Sequence, residues 1–396
     1  MSFCDHAPAH IRAIAPYLPG KPISELAREM GIEEERIVKL ASNENPLGAS
    51  PRALAAIENV LMETARYPDG SGYALKQALS QRLGIATGGI VLGNGSNDVL
   101  EMAARAFLAP GSSAVYAQHA FAVYPLAVQA TGARGIEVPA RDWGHDLDAM
   151  LAAIEADTRL VFIANPNNPT GTLAAPDELA RFIARVPAAV GIVLDEAYYE
   201  YLPPELRGDS LAWLAAHPNL IVTRTFSKAY GLAGLRVGYA LCQEPVADLL
   251  NRVRQPFNVN AFAQAAAVAA LEDETFLDHC LEINRDGMAQ LTAGLAALGV
   301  DTIPSYGNFV CCRVGDAARI NRGLLGHGVI VRPVANYGMP EHLRVSVGLA
   351  EENARFLAVL AEILDRHSRE SGNPELTDDS LDVRVRGHDE ANWSSP

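Results

Sequence analysis

The sequence predicts an α/β fold, with a large mostly parallel-sheet domain and a smaller α+β domain, and three observations carry that expectation. Between residues 90 and 242, short β-branched runs alternate with stretches of helical periodicity, the pattern of repeated strand–helix–strand units. A long Ala-rich helical stretch follows, and beyond it lie three further strand-like runs and a closing amphipathic stretch. At 396 residues the chain also exceeds what one hydrophobic core ordinarily supports.

Taken in order, a Pro-rich arm leads to "ELAREM", a short helix that Ser24 is placed to cap and Gly31 to stop. "IVLGNG" reads as a buried strand and "SNDVLEMAARAFLA" as the helix after it, with apolar residues at helical spacing. "SAVYAQ", "RGIEVPA", "LVFIAN", "GIVLDEA", "LIVTRTFS" and "RVGYALC" are the further strands. The Ala-rich stretch "NAFAQAAAVAALEDETFLDHCLEINRDGMAQLTAGLAAL" is helical with a break near Glu272 to Glu274. "NFVCCRV", "VIVRPV" and "HLRVSVG" then form strands, closed by the helix "NARFLAVLAEILDRH". The expected division is an N-terminal arm over 1–45 packing on the small domain, a large domain over 46–274, a small C-terminal domain over 275–367, and an unstructured tail over 368–396, where periodicity gives way to Ser, Asp, Gly and Arg.

Composition narrows the partners. A net charge of −15 argues against nucleic acid or an anionic membrane, so small molecules are the expected ligands. The five cysteines are odd in number and lack C-x-x-C spacing, which points to reduced core thiols rather than disulfides or a metal site. Neither a signal peptide nor a membrane-length apolar stretch is legible, and the cytoplasm is the expected compartment.

Four segments could carry chemistry, each at the end of a predicted strand, where open α/β sheets bind ligands. In "TFSKAYGLAG" Lys228 sits among small and apolar residues; an amine so placed has its charged form disfavoured and becomes a nucleophile toward carbonyls, although a lone lysine is most often a surface residue on a loop, and only the company of other motifs shifts that reading. Asp195 in "LDEAYYEY" closes an apolar strand and could face a cationic ring nitrogen, cap a helix or hold a metal. "NPNNPTG", residues 165 to 171, demands a rigid turn whose amide side chains can be aimed into a crevice or serve the turn alone. "GNGSND", residues 93 to 98, is a Gly-rich helix start suited to phosphate, yet Asp98 stands where a dinucleotide fingerprint needs its third glycine. HExxH, GxSxG and clustered His/Cys motifs are missing, and His119, His145 and His327 read as isolated structural or solvent-exposed residues.

Together these motifs resemble the fold-type I pyridoxal-phosphate-dependent aminotransferases, and within them the histidinol-phosphate aminotransferases, over roughly Ile11 to His367. The resemblance implies that Lys228, in "SKAYGLAGLRVGY", is the Schiff-base lysine, that Asp195 faces the pyridine nitrogen, and that Tyr198 and Asn168 bond the ring oxygen O3′. It assigns Ser96, Asn97, Ser227 and Arg236 to the cofactor phosphate and Phe121 to stacking on the ring. Tyr67, in "ARYPDGSGY", matches a tyrosine that reaches the neighbouring subunit's cofactor, implying a homodimer with shared active sites. Arg344 and Arg332 match the contacts to the substrate's anionic group, and Tyr17 matches a residue that closes over it.

The implied reaction moves an amino group from L-glutamate to imidazole acetol phosphate, giving L-histidinol phosphate and 2-oxoglutarate, and the reverse. A guanidinium fork suits both carboxylate and phosphate, as such a substrate pair requires. An aromatic amino acid aminotransferase, a threonine-phosphate decarboxylase and a non-catalytic cofactor-binding protein are the alternatives; an intact set of Lys228, Asp195, Tyr198, Asn168 and Arg236 speaks against the last.

Overall fold

The computed structural model describes residues 2–17 and 19–371. In chain order the strands among these are β1 Val38–Lys39, β2 Ile90–Gly93, β3 Ser113–Ala117, β4 Arg134–Val138, β5 Thr158–Ala164, β6 Gly191–Asp195, β7 Leu220–Thr225, β8 Gly238–Leu241, β9 Asp301–Ile303, β10 Phe309–Arg313, β11 Val329–Ile330, β12 Arg332–Pro333 and β13 His342–Ser346. Seven of them form one sheet in the order β2-β8-β7-β6-β5-β3-β4. β8 alone runs against its neighbours, so β2, on its far side, is again aligned with the rest.

That arrangement decides where the site can be. The carboxyl ends of β2, β5, β6 and β7 lie at one edge of the sheet, and the antiparallel β8 starts from that same edge, just after Arg236. β5, β6 and β7 are buried along almost their whole length, as strands covered on both faces by helices must be. Phe162, at the centre of β5, is fully buried in the large core that the helices close, and burial of such a side chain contributes about 1.5–3 kcal/mol.

A second, smaller core lies under the antiparallel sheet β12-β13-β10-β9. β13 shows how this sheet serves two masters through the two-residue period of a strand. Leu343 and Val345 enter the small core, while His342, Arg344 and Ser346 face the other way, toward residues 41–43, 143 and 168. β1 pairs in parallel with β11 and so ties the N-terminal arm to this part of the molecule.

Several local expectations are corrected. Ser24 does not cap its helix, which spans Ile23–Met30: Pro22 takes the capping position with an extended backbone and its carbonyl accepts from Leu26 N–H at 3.2 Å, leaving Ser24 in the first turn. "VIVRPV" is two short strands in two different sheets rather than one, because the chain changes partner at Val331. Cys4 is exposed; the other four cysteines are buried and free. The Ala-rich stretch breaks as expected, between Ala261–Leu271 and Glu274–Ala297, with Asp273 capping the second helix through Phe276 N–H. The closing helix runs Ala350–Ser371, so residues 368–371 of the predicted tail are helical, and the remainder of that tail lies outside the described residues.

Candidate active site

The strand ends open onto a cavity lined by twelve of the residues singled out from sequence, namely Tyr17, Ser96, Asn97, Phe121, Asn168, Asp195, Tyr198, Ser227, Lys228, Arg236, Arg332 and Arg344. Tyr67 is not among them. It lies on the surface, 82% exposed, stacked on Phe257 with ring centroids 4.7 Å apart.

Lys228 reaches the cavity because the chain turns sharply after β7. Ser227 N–H donates to Thr225 Oγ1 at 3.1 Å, and Gly231 takes a positive φ of 69° against the backbone of Gly48, where a Cβ would collide. The Lys228 ammonium donates to the carbonyl of Ser42 at 3.0 Å. Burial, and then the positive charges of Arg344 and Arg236, bring its pKa down to about 7. An amine of that acidity is substantially neutral, hence nucleophilic, near neutral pH.

Asp195 ends β6 and is buried, with one oxygen accepting from Tyr124 at 2.9 Å and the other from Thr223 at 3.0 Å. Burial raises its pKa, while those two hydrogen bonds and the Ala197 N–H pull the other way. Tyr198 accepts from the Asn43 amide at 2.8 Å, and burial pushes its phenol up to about 12. The turn 165–171 is rigid for reasons visible in its bonds: Asn165 bonds Ala174 through both amide ends and Asn167 bonds Thr170, which leaves Asn168 to project into the cavity.

At the other end is a cradle for an anion. The helix Ser96–Phe107 starts at the edge of the sheet with Gly95 before it at φ 79°, and a Cβ there would strike the Arg236 guanidinium. Arg236 reaches Ser227 Oγ at 3.4 Å. First-turn amides, a hydroxyl and a guanidinium thus converge where the helix dipole favours negative charge. Asp98 is explained as well: its carboxylate accepts from Asn94 N–H at 2.9 Å and Asn258 at 2.7 Å, bracing the loop. A second anion position is marked by Arg344, which donates to Asn168 Oδ1 and to the Ala41 carbonyl while its buried Nε has no hydrogen-bond partner among the described residues.

Sequence reading missed four contributors: Ser42 and Asn43, in "LASNENP", and Tyr124 and Thr223 behind Asp195. Only the Asn-rich composition of the first segment offered a signal. Tyr124, in the first turn of the helix Val123–Ala130, stands three residues after Phe121, which precedes that helix, and the two rings meet edge to face at 5.8 Å.

A nucleophilic lysine, a buried carboxylate facing it across a cavity and a phosphate cradle at a helix start fit pyridoxal phosphate, group for group. The fold and site are those of an aminotransferase. The chain belongs to the aminotransferase class I and II family, whose model matches residues 35–360. It is 65% identical over 369 residues to histidinol-phosphate aminotransferase 1 of Thiobacillus denitrificans, covering 92% of this chain and 96% of the relative. It is 63% identical over 360 residues to the histidinol-phosphate aminotransferase of Methylobacillus flagellatus, covering 91% and 98%. Among solved structures it resembles histidinol-phosphate aminotransferase from Sinorhizobium meliloti in complex with pyridoxal-5′-phosphate, at a TM-score of 0.84, 30% identity, and coverage of 91% and 98%.

Proposed function

We propose that the protein is a pyridoxal-phosphate-dependent histidinol-phosphate aminotransferase, interconverting L-histidinol phosphate and 2-oxoglutarate with imidazole acetol phosphate and L-glutamate. The observation that carries this is the single cavity in which the acidified Lys228 amine, the Asp195 carboxylate and two separate anion positions meet. When bound, pyridoxal phosphate supplies an electron sink for charge that develops on the substrate carbon.

The protein's residues do the rest. Ser96, Asn97, Ser227 and Arg236 hold the cofactor phosphate, and Phe121 covers the ring. Asp195 would face the ring nitrogen and keep it protonated, and Tyr198 and Asn168 would bond the ring oxygen. Lys228 would hold the cofactor covalently, and its Nζ, once free, is placed to take up and hand back the proton that leaves the substrate carbon. Arg344 and Arg332 grip the substrate's phosphate or carboxylate, and Tyr17, stacked 5.5 Å from the Arg332 guanidinium, closes that end.

The same reading makes the protein a homodimer. Tyr67 is exposed and stacked on Phe257, itself exposed, and Leu61 and Met62, a few residues before it in the chain, are exposed large apolar residues as well; exposed apolar side chains that cluster mark an interface. From it Tyr67 would reach the partner's phosphate cradle.

The test is a single-turnover titration of the purified holoenzyme with L-histidinol phosphate, and separately with L-phenylalanine and L-tyrosine, following loss of the absorbance of the lysine-bound cofactor. Conversion by histidinol phosphate at far lower concentration is expected. Preference for the aromatic amino acids would overturn the substrate assignment.

A further inference from the structure

The segment Ala41-Ser42-Asn43 touches three site residues in succession. The Ala41 carbonyl accepts from Arg344 at 2.7 Å, the Ser42 carbonyl accepts from Lys228 at 3.0 Å, and the Asn43 amide donates to Tyr198 Oη at 2.8 Å. Asn43 is 1% exposed and has a φ of 53°, in the left-handed region that asparagine tolerates better than most residues. None of these contacts is local: Asn43 lies 155 residues before Tyr198.

Hydrogen-bond logic fixes the direction of the Asn43–Tyr198 bond. The backbone N–H of Asn43, an obligate donor, meets Ser346 Oγ at 2.8 Å. Ser346 Oγ therefore accepts there and sends its own hydrogen to Asn43 Oδ1, 3.0 Å away. The reversed amide would set two donors against Ser346 Oγ, and among the described residues the buried hydroxyl would then have no acceptor. With Oδ1 committed to Ser346, it is the NH2 end that faces Tyr198. The phenolic oxygen is consequently an acceptor toward Asn43, and its hydrogen must point elsewhere; Tyr198 lines the cavity beside Lys228, whose Nζ is 5.9 Å from the phenol ring centroid.

We propose that Asn43 is a positioning residue which, locked by Ser346, forces Tyr198 to act as a hydrogen-bond donor into the cavity. The inference rests on the reading that Lys228 holds pyridoxal phosphate there. The acceptor of that hydrogen is the cofactor's ring oxygen, whose negative charge the phenol stabilises. A stabilised oxygen anion loosens the proton on the nitrogen that joins Lys228 to the cofactor, and Asn43 thereby favours the deprotonated resting form.

Asn43→Asp tolerates the same backbone conformation and reverses the polarity, since a carboxylate accepts the phenolic hydrogen and withdraws it from the cavity. The experiment titrates the absorbance of the holoenzyme between pH 5 and 10 for the wild type, Asn43→Asp, Tyr198→Phe and the double variant, with thermal unfolding measured in parallel. The expected result is a rise in the wild-type midpoint of about one pH unit, about tenfold tighter proton binding, for Asn43→Asp. In the Tyr198→Phe background the same substitution should give less than half that rise, because only the added charge then acts. Ser346→Ala, which frees the amide to turn, should raise the midpoint by a smaller amount and supplies the answer if Asn43→Asp does not fold. Equal shifts in both tyrosine and phenylalanine backgrounds, or a lowered unfolding temperature with an unmoved midpoint, would overturn the proposal. A wild-type cofactor band that persists in Lys228→Ala would instead overturn the underlying reading of the cavity.

Discussion

The acidity of Lys228 can be measured without any turnover. Its pKa of about 7 has burial as the largest cause and the Arg344 charge as the next. At pH 8 such an amine is about nine-tenths neutral, whereas an ordinary lysine near 10.4 is about 0.4% neutral, a ratio of roughly 200 in reactive form. The chain holds only four lysines, at 21, 39, 76 and 228, so each can be followed on its own peptide. In the cofactor-free protein, brief reductive methylation with formaldehyde across pH 5–10, read by mass spectrometry, should modify Lys228 half-maximally near pH 7. Arg344→Gln should move that midpoint upward, because it removes the largest opposing charge. The sign of the stability effect follows too: between about pH 7 and 10.5 the unfolded chain carries a proton that the folded one lacks, so the cofactor-free protein should become more stable as pH rises through that window. A Lys228 midpoint above pH 9 would refute the argument that burial and neighbouring arginines prepare this amine.

Further outcomes test the surroundings. Tyr124→Phe removes one of the hydrogen bonds to the Asp195 carboxylate and should weaken cofactor retention by roughly tenfold, the worth of a charge-assisted hydrogen bond of about 1.5 kcal/mol, as measured by equilibrium dialysis. Gly95→Val places side-chain atoms against the Arg236 guanidinium at a positive φ and should lose affinity for pyridoxal phosphate far more than for pyridoxal, in a direct binding assay. Beneath the site, Arg224 and Glu196 form a buried ion pair at 2.8 Å, with Ser210 bonded to both. Glu196→Gln should therefore cost about 3 kcal/mol in denaturant unfolding, since the buried arginine loses its hydrogen-bonded carboxylate and keeps only the more distant Glu200 and the Tyr199 ring against its charge.

How much of this was legible in the sequence depends on how far apart the cooperating residues lie. Lys228, Asp195 and the turn 165–171 could be read because each follows its own strand, and parallel strands deliver their carboxyl ends to a common edge. The Gly-rich helix start was legible for the same reason, since Gly95 and Ser96 are consecutive and their geometry is local. Ser42 and Asn43 belong to no strand or helix, and their roles come from partners far along the chain, Lys228 for the Ser42 carbonyl and Tyr198 and Ser346 for Asn43. No periodicity of these segments contains that information. Tyr124 was hidden differently: it is fully buried in the large core and reads as ordinary packing, yet a buried phenol must spend its hydroxyl on a partner, and the acceptor in reach is Asp195. Every tyrosine placed inside an apolar helix face therefore poses a question of partnership that composition alone cannot answer; at Tyr124 the partner is Asp195 and at Tyr198 it is Asn43, and on the proposed function these two bonds would act on the nitrogen and on the oxygen of one cofactor ring.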